Sequence, residues 1–204
     1  MDVAELISDR CAKFVQENTD RSEVEIEQIK YGINVIVFNL IKLPILFLFA
    51  YFLGMLKETF LVFISLGLMR SVASGVHLYT GISCTIGTLA IFLGVSFLGI
   101  HFHADLLFIT LLFILSLILY ILYAPADTAE RPLVSSRLRK KLKLLSVIFM
   151  LIIYVTVLLI PNSTYRCLLT YGTTAEAFLI TPLIYKILRK PYKNYLTYIK
   201  DNNV

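Results

Sequence analysis

Charge is scarce in this sequence. Of its 204 residues only 16% are charged and 58% are hydrophobic, where a soluble domain is usually about 25% charged and about 45–50% apolar. Mean hydropathy is +0.79. The shortage of charge excludes an ordinary water-soluble domain, because the apolar residues fall in blocks long enough to cross a bilayer, about 20 residues each. Cysteine is scarce too. Cys11, Cys84 and Cys167 show no paired spacing and no CxxC, which argues against a disulfide framework and leaves room for a free reactive thiol. Residues 1–31 lack the central apolar run of a secretory signal peptide, so none is expected. No internal repeat or low-complexity segment is evident. Net charge is +5, but the basic residues cluster beside the apolar runs, where the positive-inside bias puts them. Nucleic acid is therefore not an expected partner; the lipid bilayer is.

The expected fold is all-α: a polytopic membrane bundle of about six spans preceded by an amphipathic helix. It forms one domain over residues 1–204, with interfacial helices in 1–31, the bundle in 32–188 and a tail in 189–204. In 3–15, Val3, Leu6, Ile7, Cys11, Phe14 and Val15 recur at helical spacing. That helix either lies on the membrane surface or packs against the bundle. Ser22 and Glu25 fit a capping box for the next helix. The spans are read at about 33–53, 59–75, 85–100, 106–123, 144–160 and 167–188. Six spans leave both termini on one side, together with the 70–84 and 124–143 segments. Arg131, Arg137, Arg139, Lys140, Lys141 and Lys143 crowd the latter, whereas the opposite turns hold few basic residues. The bias places that side in the cytoplasm.

Between the second and third spans lies a semi-polar, glycine-broken passage. Arg70, His77 and Cys84 follow one another at intervals of seven, with Gly75 and Gly81 between them. A thiol becomes a good nucleophile when a base or a nearby positive charge favours its thiolate. His77 could take the Cys84 proton and return it to a leaving amine. On a continuous helix, however, seven residues separate two side chains by about 10.5 Å along the axis. The helix must break between them, and Gly81 is the expected place. Arg70 could hold a substrate carboxylate or stabilise developing negative charge. A helix beginning near Cys84 would also favour the thiolate.

The ordered set Arg70…Ser74-Gly75-x-His77…Cys84, with Tyr31-Gly32 before the first span and Ala124-Pro125-Ala126-Asp127 after the fourth, resembles the AgrB family. These are membrane peptidases of Gram-positive peptide signalling. The resemblance covers nearly the whole chain. It departs where the family often has Gly-Gly before the histidine and Ala after it; here those places hold Ser74-Gly75 and Leu78. What the resemblance implies is a cysteine endopeptidase in the cell membrane, acting without cofactor or metal. Its substrate would be an AgrD-like precursor with an amphipathic leader, a central segment and an acidic tail. Cys84 would attack the peptide bond before the tail, forming a thioester. A Cys or Ser of the precursor would then close a thiolactone or lactone ring, with His77 serving both steps. The resemblance also suggests a homodimer.

Supporting positions follow. Asp127 is a candidate to orient His77, or to act at a helix end after Pro125. Arg131, Arg137, Arg139, Lys140 and Lys141 could draw in an acidic tail or only set topology. Lys42 and Glu176 fall near mid-depth, where charges are costly and usually paired or facing a wet cavity. They could pair with each other, or Lys42 could snorkel. His101-x-His103 with Asp105 could bind a metal, although a solvated turn is the simpler reading. The competing function is a peptide transporter without covalent chemistry.

Overall fold

The computed structural model describes residues 3–19, 23–76, 81–128 and 132–202. Among these there are nine helices: α1 (Val3–Asn18), α2 (Glu23–Phe52), α3 (Leu56–Ala73), α4 (Gly81–His101), α5 (Leu106–Tyr123), α6 (Ser136–Leu159), α7 (Ser163–Leu179), α8 (Pro182–Ile187) and α9 (Asn194–Asn202). Four are long and apolar enough to cross a membrane: α2, α4, α5 and α6. The chain is thus a polytopic helical membrane protein. Its exterior is apolar, as lipid requires, with Phe52 75%, Leu107 69% and Leu159 78% exposed.

The two remaining expected spans fall on α3 and α7. Helix α3 carries Lys57, Glu58 and Arg70 near its ends. Helix α7 is 17 residues long and nine of them are buried. It stands at the centre, packed against α3, α4, α5 and α6. Small residues bring its neighbours close: a Cβ at Gly99 of α4 would lie 2.5 Å from Leu168 Cδ2, and one at Gly172 would lie 2.2 Å from Ser65 Oγ of α3. Its polar atoms are satisfied internally. The Ser116 hydroxyl donates to Thr174 Oγ1 at 3.0 Å and the Tyr120 hydroxyl to the Thr173 carbonyl at 2.8 Å. Expected as one helix over 167–188, this region is two. Pro182 has no N–H to give and disfavours helical backbone at Thr181, so the chain turns at Ile180–Thr181 and restarts as α8.

Helix α1 lies back along the start of α2, with Lys30 Nζ 2.5 Å from Asp9 Oδ1 and with Ser8 and Ala12 buried. Its packing partner is the start of α2. Ser22, the expected cap of α2, lies outside the described residues. Each turn near His101 has a simple occupation. Asp105 caps α5 by accepting from the Phe108 amide at 2.9 Å, and His103 Nε2 meets Thr164 Oγ1 at 2.9 Å.

Candidate active site

Helix α3 ends at Ala73 because the next two residues leave helical space. Ser74 has φ +60° and Gly75 has φ +131°, a conformation that only glycine adopts without strain. The backbone there is held by the segment after α5. The Gly75 amide donates to the Ala126 carbonyl at 3.1 Å, and the Ala126 amide to the Ala73 carbonyl at 2.8 Å. Ser74 and Ala126 form a parallel bridge. The Ala124-Pro125-Ala126-Asp127 run therefore pairs, through this one bridge, with the loop that leads away from α3. The Ala124–Pro125 peptide is cis.

Arg70, one turn back on α3, braces the same loop. Its Nη1 lies 3.3 Å from both carboxylate oxygens of Glu176, and its Nη2 donates to the Val76 carbonyl at 2.5 Å. Glu176 is fully buried on α7. Gly75 packs against this pair so tightly that a Cβ would lie 2.9 Å from Arg70 Nη1 and 3.2 Å from Glu176 Oε1. The Lys42–Glu176 pair, one of the alternatives for these two charges, does not form. Arg70 reaches Glu176 across the α3–α7 contact, and Lys42, on α2, faces Cys84 instead.

Cys84 lies in the first turn of α4, half-buried and free. The Lys42 ammonium is 3.9 Å from its sulfur and 5.3 Å from the centre of the Phe38 ring. The sulfur thus has two sources of positive potential, the amino end of α4 and the Lys42 cation. His77 lies outside the described residues, as do Leu78 and Thr80. Helix α3 ends at Ala73 and α4 opens at Gly81, so Arg70 and Cys84 stand on different helices.

Asp127 is buried and fully engaged. Its Oδ1 accepts from the Asn194 amide at 2.9 Å and its Oδ2 from the Tyr195 amide at 2.7 Å. Its carbonyl accepts from the Tyr185 hydroxyl at 2.8 Å. It caps the start of α9, satisfying amides that have no partner within the helix.

The basic residues expected in a loop belong to a helix. Ser135 accepts from the Leu138 amide and starts α6 at Ser136, so Arg137, Lys140, Lys141 and Lys143 stand exposed on its first turns. Arg139 is used structurally: its guanidinium donates to the Leu133 and Val134 carbonyls and lies 4.0 Å from the Tyr195 ring centre. Arg131 lies outside the described residues. A cavity of about 270 Å³ opens here, floored by Ala124–Asp127 and rimmed by Lys140, Lys143, Tyr192, Lys193 and Tyr195. Burial first, then neighbouring Tyr123, Asp127 and Tyr195, push the Tyr192 phenol up to about 12, so at neutral pH it is a neutral hydrogen-bonding group.

Three features of this site escaped the sequence. The approach of Lys42 to Cys84 joins residues 42 positions apart, and the Arg70–Glu176 pair joins residues 106 apart. The tail's place at the cavity depends on Asp127 capping α9. Two signals were visible, namely charges at membrane depth and an aspartate after Pro125, but neither names its partner.

The model of the AgrB family, accessory gene regulator B, matches residues 8–180. Among curated proteins the chain is 35% identical to an AgrB-like protein of Clostridium acetobutylicum, over 84% of this chain and 82% of the relative. It is 32% identical to an AgrB-like protein of Listeria innocua, over 84% of each. It is 28% identical to accessory gene regulator protein B of Staphylococcus aureus, over 87% of this chain and 94% of that one. No solved structure matches.

Proposed function

The chain belongs to the AgrB family, and from that premise we propose that it is a membrane-embedded cysteine endopeptidase that cuts and cyclises an AgrD-like precursor peptide. Cys84 is the nucleophile and His77 its base and acid. His77 takes the thiol proton, and the sulfur attacks the carbonyl carbon of the peptide bond before the acidic tail. As the C–N bond breaks, the proton passes to the departing amine. The precursor remains as a thioester on Cys84. A thiol or hydroxyl within the precursor then attacks that carbonyl, the C–S bond breaks, and Cys84 recovers its proton. The thioester conserves the acyl group's reactivity, so ring closure needs no further energy source where water is kept out and the attacking group is held close.

The observation that carries this reading is the setting of Cys84: first turn of α4, half-buried, with the Lys42 ammonium 3.9 Å from the sulfur. The same setting favours covalent chemistry over a transporter. The charges at depth that a transporter would use for its cargo are engaged, Lys42 at the sulfur and Glu176 on Arg70. Gly75 and Asp127 support the site through the loop that precedes His77. In this reading α3 and α7 also span the bilayer, making six spans, with both termini and Cys84 cytoplasmic. The acidic tail docks on the basic start of α6 through Arg131, Arg137, Lys140 and Lys141, with Arg139 shaping the cavity beside them. Two copies enclosing the site would form a homodimer.

The test is tail release from a synthetic precursor with an acidic tail, by full-length protein in proteoliposomes. Cys84→Ala should abolish release, and brief reaction of the unsubstituted protein should yield a precursor linked to Cys84. Release at an unchanged rate from the Cys84→Ala protein would end the proposal.

A further inference from the structure

We propose that Glu176 is a positioning residue for catalysis, acting through Arg70 to fix where the chain leaves α3 for His77. The inference rests on the peptidase reading above and assigns Glu176 a task within that site. Three independent features converge. First, the carboxylate is fully buried on the central helix α7 and spans Arg70 Nη1 at 3.3 Å to each oxygen. Second, the other arm of the same guanidinium holds the Val76 carbonyl, one residue before His77. Third, Gly75 is pressed against the pair at a positive φ, with no room for a Cβ.

A buried pair of this kind is a poor source of stability, because desolvation offsets most of the attraction. What it can supply is direction. The planar guanidinium offers its donors at fixed angles, so the carboxylate sets the plane and the plane sets Val76. On the far side the loop is held by its bridge to Ala126. The segment entering His77 is thereby gripped on both sides, by α7 through Arg70 and by the chain after α5. Arg70, read from the sequence as a substrate or oxyanion contact, is on this account a positioning residue as well.

The experiment uses full-length protein in proteoliposomes and the acidic-tailed synthetic precursor. Glu176→Gln keeps the shape and removes the charge; Glu176→Asp keeps the charge on a shorter arm. Misplacing a catalytic group by about 1 Å can cost about a hundredfold in rate. Glu176→Gln should therefore lower kcat between about tenfold and about a hundredfold, with KM within about twofold. Glu176→Asp should recover part of the loss. Cys167, fully buried on α7, reports on the fold and should stay unreactive to iodoacetamide in both. An unchanged kcat in Glu176→Gln overturns the proposal, and so does a loss expressed only in KM. Should Glu176→Gln expose Cys167, the double variant Arg70→Met with Glu176→Leu replaces the pair by apolar groups. A folded double variant that loses kcat with KM within about twofold supports the proposal, whereas a loss expressed in KM assigns Arg70 to substrate contact and overturns it. A folded active one overturns it, and one that again exposes Cys167 assigns the pair to stability and overturns it too. Cys84→Ala run alongside separates the two ideas. If it cleaves normally the peptidase reading falls; if it is dead while Glu176→Gln is normal, only the role of Glu176 falls.

Discussion

An ammonium inside an apolar candidate span has to be accounted for, and Lys42 of α2 is such a residue. Side chains on a helix tilt toward its amino end, which for α2 is the cytoplasmic end in the proposed topology. A Lys42 that snorkels in that topology moves in the direction of Cys84, whose sulfur lies 3.9 Å from its ammonium. The cation stands where negative charge develops on sulfur and on the attacked carbonyl. Donors placed at such a charge contribute about a hundredfold or more in other enzymes. Lys42→Met is predicted to slow tail release at least about tenfold, and Lys42→Arg to restore much of it, in initial rates at constant pH. A Lys42→Met protein as fast as its parent would reduce the contact to a bystander.

Among the elements, α7 decides the arrangement. The sequence reads its region as part of a sixth span over 167–188, but its centrality is not legible there, because its polar face of Thr170, Thr173, Thr174 and Glu176 reads as an interruption until helices surround it. Its contact with α4 matters most, since α4 carries Cys84. Gly99→Ala would place a Cβ 2.5 Å from Leu168 Cδ2, 2.9 Å from its Cγ and 3.3 Å from its Cα. The Cα is backbone and cannot swing away, and Leu168 is fully buried, so its side chain must change rotamer in a packed seam or the helices must part. Overpacking of this sort costs about 1–3 kcal/mol. The expected outcome is a Tm lower by several degrees in detergent, with slower tail release. An unchanged Tm would show that the α4–α7 seam yields freely.

At the scale of the whole molecule, the charge distribution carries the prediction. The first turns of α6 and the residues after α8 hold Arg139, Lys140, Lys143 and Lys193 together at one cavity, with Arg137 and Lys141 exposed on the same turns of α6, whereas His103 lies at the other end of α4 and α5. The positive-inside bias then orients the bundle. A cysteine at Lys141 should react with a membrane-impermeant maleimide only after permeabilisation, and one at His103 should react in intact cells. The reverse pattern would place Cys84 outside, away from a cytoplasmic precursor, and would invert the proposed topology.

The sequence by itself determined the solvent of this protein, the all-α class, the positions of most helices and the family set around Arg70 and Cys84. Each of these depends on local composition or on residues close together in the chain. The structure alone decided which charges meet. Glu176 went to Arg70 and Lys42 to Cys84 because α7 stands inside the bundle and α2 lies beside α4. Asp127 went to the amides of α9 because the chain after α5 returns to the loop that follows α3. Partners 42 to 106 residues apart are set by how helices pack. In a low-dielectric interior that packing leaves each buried charge few groups within reach.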